Sequence, residues 1–129
     1  MTKYLGIDYG EKRIGLAVSD EGGTIAFPRA TVENDALLFP MLKRLITSEK
    51  IKKIVVGDTR SFSNLENPVT KDAEDFIGRL KKETHLPVVS AWEAGSSVEA
   101  SRYSPSGNEH DDSAAAAIIL QRFLDMKQH

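Results

Sequence analysis

The chain has 129 residues, no cysteine and a formal net charge of -2, from 17 Lys and Arg against 19 Asp and Glu. A single domain of this length buries roughly two thirds of its unfolded surface, so it can fold without disulfides. The charge balance excludes a histone-like binder, and the longest apolar run, residues 114–120, is too short to span a bilayer. With no basic-then-apolar targeting pattern, we expect one domain, residues 1–129, that is cytoplasmic and not bound to a membrane.

Three strands are predicted in the first part of the chain, at residues 3–8, 13–20 and 24–32. The connections "YGEK" and "EGG" are short, which favours an antiparallel meander. Apolar residues then recur at helical spacing from Leu38 to Ile46. Pro40 places the start of this helix close to itself, and the helix is expected to end near Lys50.

Strands and helices alternate in the second half. The run "KIVVG", residues 53–57, is typical of a strand covered on both faces. A helix marked by Ala73 and Leu80 follows, then a strand at residues 86–91, a short helix with the Ser96 and Glu99 capping pattern, and a last helix from about Asp111 to Met126. The order βββαβαβαα predicts an α/β fold. Its mixed sheet has five strands, three antiparallel then two parallel, with helices on both faces.

Three acidic residues fall at related places in this arrangement. Asp8 ends strand 1, Glu93 follows strand 5, and Asp112 stands in the first turn of the last helix. If strands 1 and 5 flank strand 4, all three come to one edge of the sheet, with Asp112 facing inward. Converging carboxylates repel one another unless a divalent cation neutralises them, and oxygen ligands suit Mg²⁺ or Mn²⁺. The pattern predicts a metal site.

The stretch "LGIDYGEKRIGLAVSD" resembles the opening signature of the YqgF/RuvX-type family of pre-16S rRNA nucleases, which are similar to Holliday junction resolvases. "IVVG", "LPV" and "DSAAAAIILQRFLD" continue the resemblance in register over nearly the whole chain. It implies a ribonuclease H-like fold and a two-metal nuclease, with Asp8, Glu93 and Asp112 as catalytic and metal-binding residues. The implied substrate is structured RNA, above all the 5′ end of pre-16S rRNA, or else branched DNA in recombination.

The chain departs from the family at residues 92–97. Relatives usually carry an Asp-Glu-Arg-Leu-Thr-Ser-like segment there, whereas this chain has "WEAGSS", which keeps Glu93 but loses the preceding acid and the arginine. The loss of this acid and of the arginine affects the expected binding of substrate phosphate more than the expected binding of the metals. Trp92 could stack on a base or form a wall of the core.

Other roles for these residues follow from general principles. Asp8 could be a turn residue, Glu93 a solvated loop acid, and Asp111 or Asp112 the cap of the last helix. Lys12 and Arg13 in the first hairpin, with Arg60 after strand 4, are candidates for phosphate contacts. His110 could assist a leaving group.

Two functions of other classes share features with this sequence. An actin-like kinase also opens with Asp-x-Gly and a hairpin, but it needs two such lobes, and 129 residues provide one. A catalytically inactive nucleic-acid-binding scaffold is compatible with the altered "WEAGSS" segment. The sequence leaves open whether the protein is a monomer or a homodimer.

Overall fold

The structure, a computed structural model, describes residues 2–57, 71–90 and 112–127. The elements in those ranges are β1 (Tyr4–Asp8), β2 (Arg13–Ser19), β3 (Ala26–Glu33), α1 (Leu38–Glu49), β4 (Lys53–Gly57), α2 (Lys71–Thr84), β5 (Val88–Ser90) and α3 (Asp112–Lys127). Their order along the chain is the predicted one. The short helix predicted at Ser96 and Glu99 lies outside the described residues.

The strands form one five-stranded sheet in the order β3-β2-β1-β4-β5. β2 pairs antiparallel with both β1 and β3, while β4 pairs parallel with both β1 and β5. The predicted mixed sheet, three antiparallel strands followed by two parallel ones, is therefore confirmed. So is the expectation that strands 1 and 5 flank strand 4.

Helices cover both faces of the sheet, as predicted. Apolar side chains of α1 and α2 pack with Leu5, Ile7 and Ile14 on one face. Among the described helices, α3 covers the other face, with its Ala116 and Leu120 against Val55 and Ala17. Alternate residues of the central strands β1, β2 and β4 thus contribute to two cores, as expected of strands buried on both sides. No helix in the described part of the chain is long and apolar enough to cross a membrane.

Two predicted strands are shorter or shifted in the structure. Strand 3 begins at Ala26, because the backbone N–H groups of Thr24 and Ile25 donate to the Asp20 carboxylate and hold a turn there. Strand 5 begins at Val88, just after Pro87, which has no N–H to donate to a ladder. β3 is the exposed edge strand, and it carries Pro28 where a central strand would not.

The first helix begins at Leu38, two residues before Pro40. The missing N–H of Pro40 therefore falls in the first turn, where backbone donors have no partner within the helix. The helix ends as Lys50 adopts the left-handed conformation, with φ of 58°, and its N–H donates back to Thr47. Both limits agree with the prediction from the sequence.

Candidate active site

One row of residues across the sheet builds the candidate site. Asp8 at the end of β1 is the register partner of Gly57 on β4 and of Gly15 on β2, and Gly15 is the partner of Thr31 on β3. We call Gly57, Asp8, Gly15 and Thr31 the Asp8 row. Register partners project to the same face of a sheet. Along the Asp8 row, glycine alternates with a residue whose side chain carries oxygen.

The first turn of α3 packs directly on Gly15. A Cβ atom added to Gly15 would overlap the carbonyl oxygen of Asp112 and lie 2.9 Å from the Cβ of Asp112. Since Asp8 is the register partner of Gly15, the Cβ atoms of the two aspartates lie within about 8 Å of each other. The two residues therefore lie at one corner of the sheet, between β1 and the start of α3.

Both aspartates are buried. Asp8 retains 4% of its accessible surface and Asp112 retains 6%. A carboxylate in such a place costs several kcal/mol, in order of magnitude, unless hydrogen bonds or positive charge compensate it. Two buried acids at one corner of the sheet favour a positive charge nearby.

Neighbours on the opposite face keep Asp8 in place. Ile7 is fully buried in the core under α1 and α2. The Tyr9 N–H donates to the Gly57 carbonyl at 2.7 Å, and its ring packs on Phe76 with 5.0 Å between centroids. Asp8 thus lies between two anchored residues, which fixes its backbone.

The start of α3 is held from β3 as well. The Ser113 N–H donates to Thr31 Oγ1 at 3.1 Å. The first N–H groups of a helix have no intrahelical acceptor, so this hydroxyl satisfies one of them from outside the helix. Thr31 therefore ties the turn that carries Asp112 to the Asp8 row.

The hairpin between β1 and β2 brings a cation to the same corner. Arg13 Nε lies 3.3 Å from Asp112 Oδ2, and the two side chains are 61% and 8% exposed. The hairpin itself is tied to the end of β3, where Asn34 donates to the carbonyls of Gly10 and Lys12. Lys12 is exposed at its tip.

The structure thus brings together two of the three predicted acids, Asp8 and Asp112, and places Arg13 beside them. Glu93 and Arg60 lie outside the described residues, as do Trp92, His110 and Asp111. Within the described ranges, no three His, Cys, Asp or Glu side chains form a group that could hold a metal ion. A metal role for the three acids remains a prediction.

Sequence reasoning missed Gly15, Thr31 and the ion pair of Arg13. Gly15 carried a signal, because a glycine inside the apolar run "RIGLAV" marks a place where another backbone approaches closely. The other two depend on the register of β3 and on where α3 begins, which no local pattern reveals.

Comparison with known proteins assigns the family. The sequence pattern of the family described as "RuvX: Holliday junction resolvase" matches residues 2–126. The chain belongs to the RuvX family. A curated relative from Nitratidesulfovibrio vulgaris (strain Miyazaki F), named "Putative pre-16S rRNA nuclease", is 36% identical over 98% of this chain and 95% of its own length. A relative of the same name from Trichormus variabilis is 32% identical over 99% and 93%.

Solved structures confirm the fold expected of a RuvX chain. Thermus thermophilus RuvC in complex with a Holliday junction substrate superposes with a TM-score of 0.57, covering 99% of this chain and 96% of RuvC, at 12% identity. A second structure of the same RuvC gives a TM-score of 0.53 at 13% identity over 98% and 96%. The ribonuclease H-like α/β class predicted from the sequence is thus confirmed.

Proposed function

We propose that this chain is a metal-dependent nuclease that hydrolyses phosphodiester bonds in structured nucleic acid. The observation that carries the proposal is the pair of buried carboxylates, Asp8 and Asp112, at one corner of the sheet. The names of its RuvX relatives support the same activity. We further propose that its substrate is the 5′ end of pre-16S rRNA, and that it acts in the cytoplasm as a single domain spanning residues 1–129.

The donor set of the corner fits a divalent cation such as Mg²⁺ or Mn²⁺. Its oxygen atoms are hard ligands of the kind these ions prefer, and two buried carboxylates at one corner attract positive charge. Asp8 and Asp112 would hold the metal, with Glu93 as the third proposed ligand. A pair of such ions bound there would activate a water molecule and stabilise the leaving 3′ oxygen.

The protein itself contributes charged side chains, and it holds the acidic ones in fixed positions. Asp8 would be the most rigid of these ligands, because the anchored residues Ile7 and Tyr9 on either side of it restrict its motion. Lys12 and Arg13 lie in the hairpin next to this corner, and we propose that they contact phosphate groups of the substrate. We propose the same role for Arg60.

Resolution of Holliday junctions is the second candidate function. It is favoured by the description of the matching family and by the fold shared with RuvC, whose structure holds a junction. Both functions use the same hydrolysis of a phosphodiester bond, and they differ in the shape of the nucleic acid.

A cleavage assay with Mg²⁺ or Mn²⁺ on pre-16S rRNA and on four-way DNA junctions, side by side, tests the proposal. We expect metal-dependent cleavage of the RNA, and a loss of about a hundredfold or more in Asp8→Asn and in Asp112→Asn. Mn²⁺ should raise the melting temperature of the parent but not of Asp8→Asn, which we expect to fold normally in chelator because one repelling carboxylate is removed.

Asp75→Asn is the matched control, since it makes the same charge change on an exposed side chain of α2, on the face of the sheet opposite α3. We expect it to cleave like the parent. Junction cleavage without RNA cleavage would favour the second candidate. A parent that neither cleaves nor gains stability with Mn²⁺ would overturn the nuclease proposal and favour a nucleic-acid-binding scaffold.

A further inference from the structure

We infer that Arg13 is the resident counter-ion of Asp112, which a divalent cation displaces when it binds, so that Arg13 sets the metal affinity of the site. This inference rests on the proposed function, because it concerns the metal-binding role of Asp112. It goes beyond a phosphate contact, since it assigns Arg13 a role before any substrate is bound.

The first step is the position of Arg13 in the sheet. Arg13 and Gly15 are two residues apart on β2, so both project to the face covered by α3. Because Gly15 has no side chain, Asp112 lies against the strand within reach of Arg13. The result is an Nε to Oδ2 distance of 3.3 Å.

The second step is the unequal burial of the two partners. Asp112 is almost closed off from water, whereas well over half of the Arg13 side chain is exposed. The buried carboxylate loses stabilisation when Arg13 leaves unless another cation takes its place, whereas the exposed guanidinium is hydrated again at small cost. The ion pair can therefore open by movement of the Arg13 side chain while Asp112 stays in place.

The third step is charge. A divalent cation on Asp8 and Asp112 supplies the positive charge that Arg13 supplies in its absence, and it repels the guanidinium. Glu33 is the register partner of Arg13 on β3 and offers an exposed carboxylate to a side chain that swings away. Metal binding thus exchanges one cation for another at Asp112, and releases Arg13 toward solvent.

Titration of Mn²⁺ into the metal-free full-length protein, followed by calorimetry, tests the exchange without any cleavage assay. We expect Arg13→Gln to bind Mn²⁺ about three- to tenfold more tightly than the parent, because the competing charge is gone. The gain should shrink at high salt. Arg13→Lys should stay within about twofold of the parent, since it keeps the charge.

Lys12→Gln is the matched control, because it removes the same charge one residue earlier, on an exposed side chain. We expect its Mn²⁺ affinity to change less than about twofold. Unchanged or weaker binding by Arg13→Gln, with saturable binding by the parent, would overturn the inference alone. Absence of saturable binding in the parent and in Arg13→Gln would overturn the proposed metal site and this inference with it.

Discussion

Gly15 is the residue that lets the start of α3 reach the sheet. A methyl group added there would overlap the Asp112 carbonyl, which is backbone and cannot rotate away. We expect Gly15→Ala to lower the free energy of unfolding by about 1–3 kcal/mol, as overpacking does. It should also reduce the Mn²⁺-induced rise in melting temperature, because α3 must move away from Asp8. Urea unfolding and thermal melts with and without Mn²⁺ measure both effects.

Gly78 offers the opposite case in the same chain. It lies on the exposed side of α2, and an added Cβ would meet nothing within 4 Å. Gly78→Ala should therefore raise the free energy of unfolding by about 0.5–1 kcal/mol, the usual gain of alanine over glycine in a helix.

If Gly15→Ala were as stable as the parent, α3 would not pack on β2 as described.

At the scale of elements, α3 depends on β3 for the cap of its first turn. Thr31→Val keeps the shape of the side chain but removes the oxygen that accepts the Ser113 N–H. We expect a loss of about 0.5–2 kcal/mol in the free energy of unfolding, the usual cost of a lost helix cap. Faster hydrogen exchange of the Ser113 amide should accompany it.

Thr31→Ser keeps the hydroxyl and serves as the control. It should retain most of the slow exchange at Ser113. Equal exchange rates in Thr31→Val and the parent would show that another group accepts this N–H in solution.

The elements were predictable where burial follows the period of the backbone. α1 and α2 each bury one stripe, and β4 is an unbroken apolar run, so their type and order followed from the sequence. The first residues of β3 and β5 did not follow from the sequence. The Asp20 carboxylate, as a hydrogen-bond acceptor, and the position of Pro87 decide where these two strands begin to pair with their neighbours.

The candidate site was predictable only in part. Asp8 and Asp112 could be chosen because they interrupt buried segments, and parallel strands present their carboxyl ends together. The closeness of the two acids depends on the missing side chain of Gly15 and on the register Asp8, Gly15, Thr31 across three strands. Such pairing joins residues far apart in sequence, so no local spacing encodes it.

For the whole molecule, one acid links three separate segments. Glu49 at the end of α1 accepts from Lys3 Nζ at 2.7 Å, before β1, and from Arg29 Nε at 3.4 Å, on the edge strand. The hydrogen bond from Lys3 is the main cause that lowers the pKa of Glu49 below 4.5, and Arg29 adds to it. Part of each side chain is exposed, so the contribution of this network to stability is modest.

The sign of the pH dependence at Glu49 follows from this shift. Because its pKa is lower in the folded state, the unfolded chain binds more protons as the pH falls below 4.5, and the contribution of Glu49 is lost. We expect urea unfolding to show Glu49→Gln less stable than the parent at about pH 7, by up to about 1 kcal/mol, with the gap closing below 4.5. Glu21→Gln, the same change in an exposed turn, should show no such gap. A gap for Glu49→Gln that stays constant with pH would mean that packing of the side chain, rather than its charge, joins the three segments.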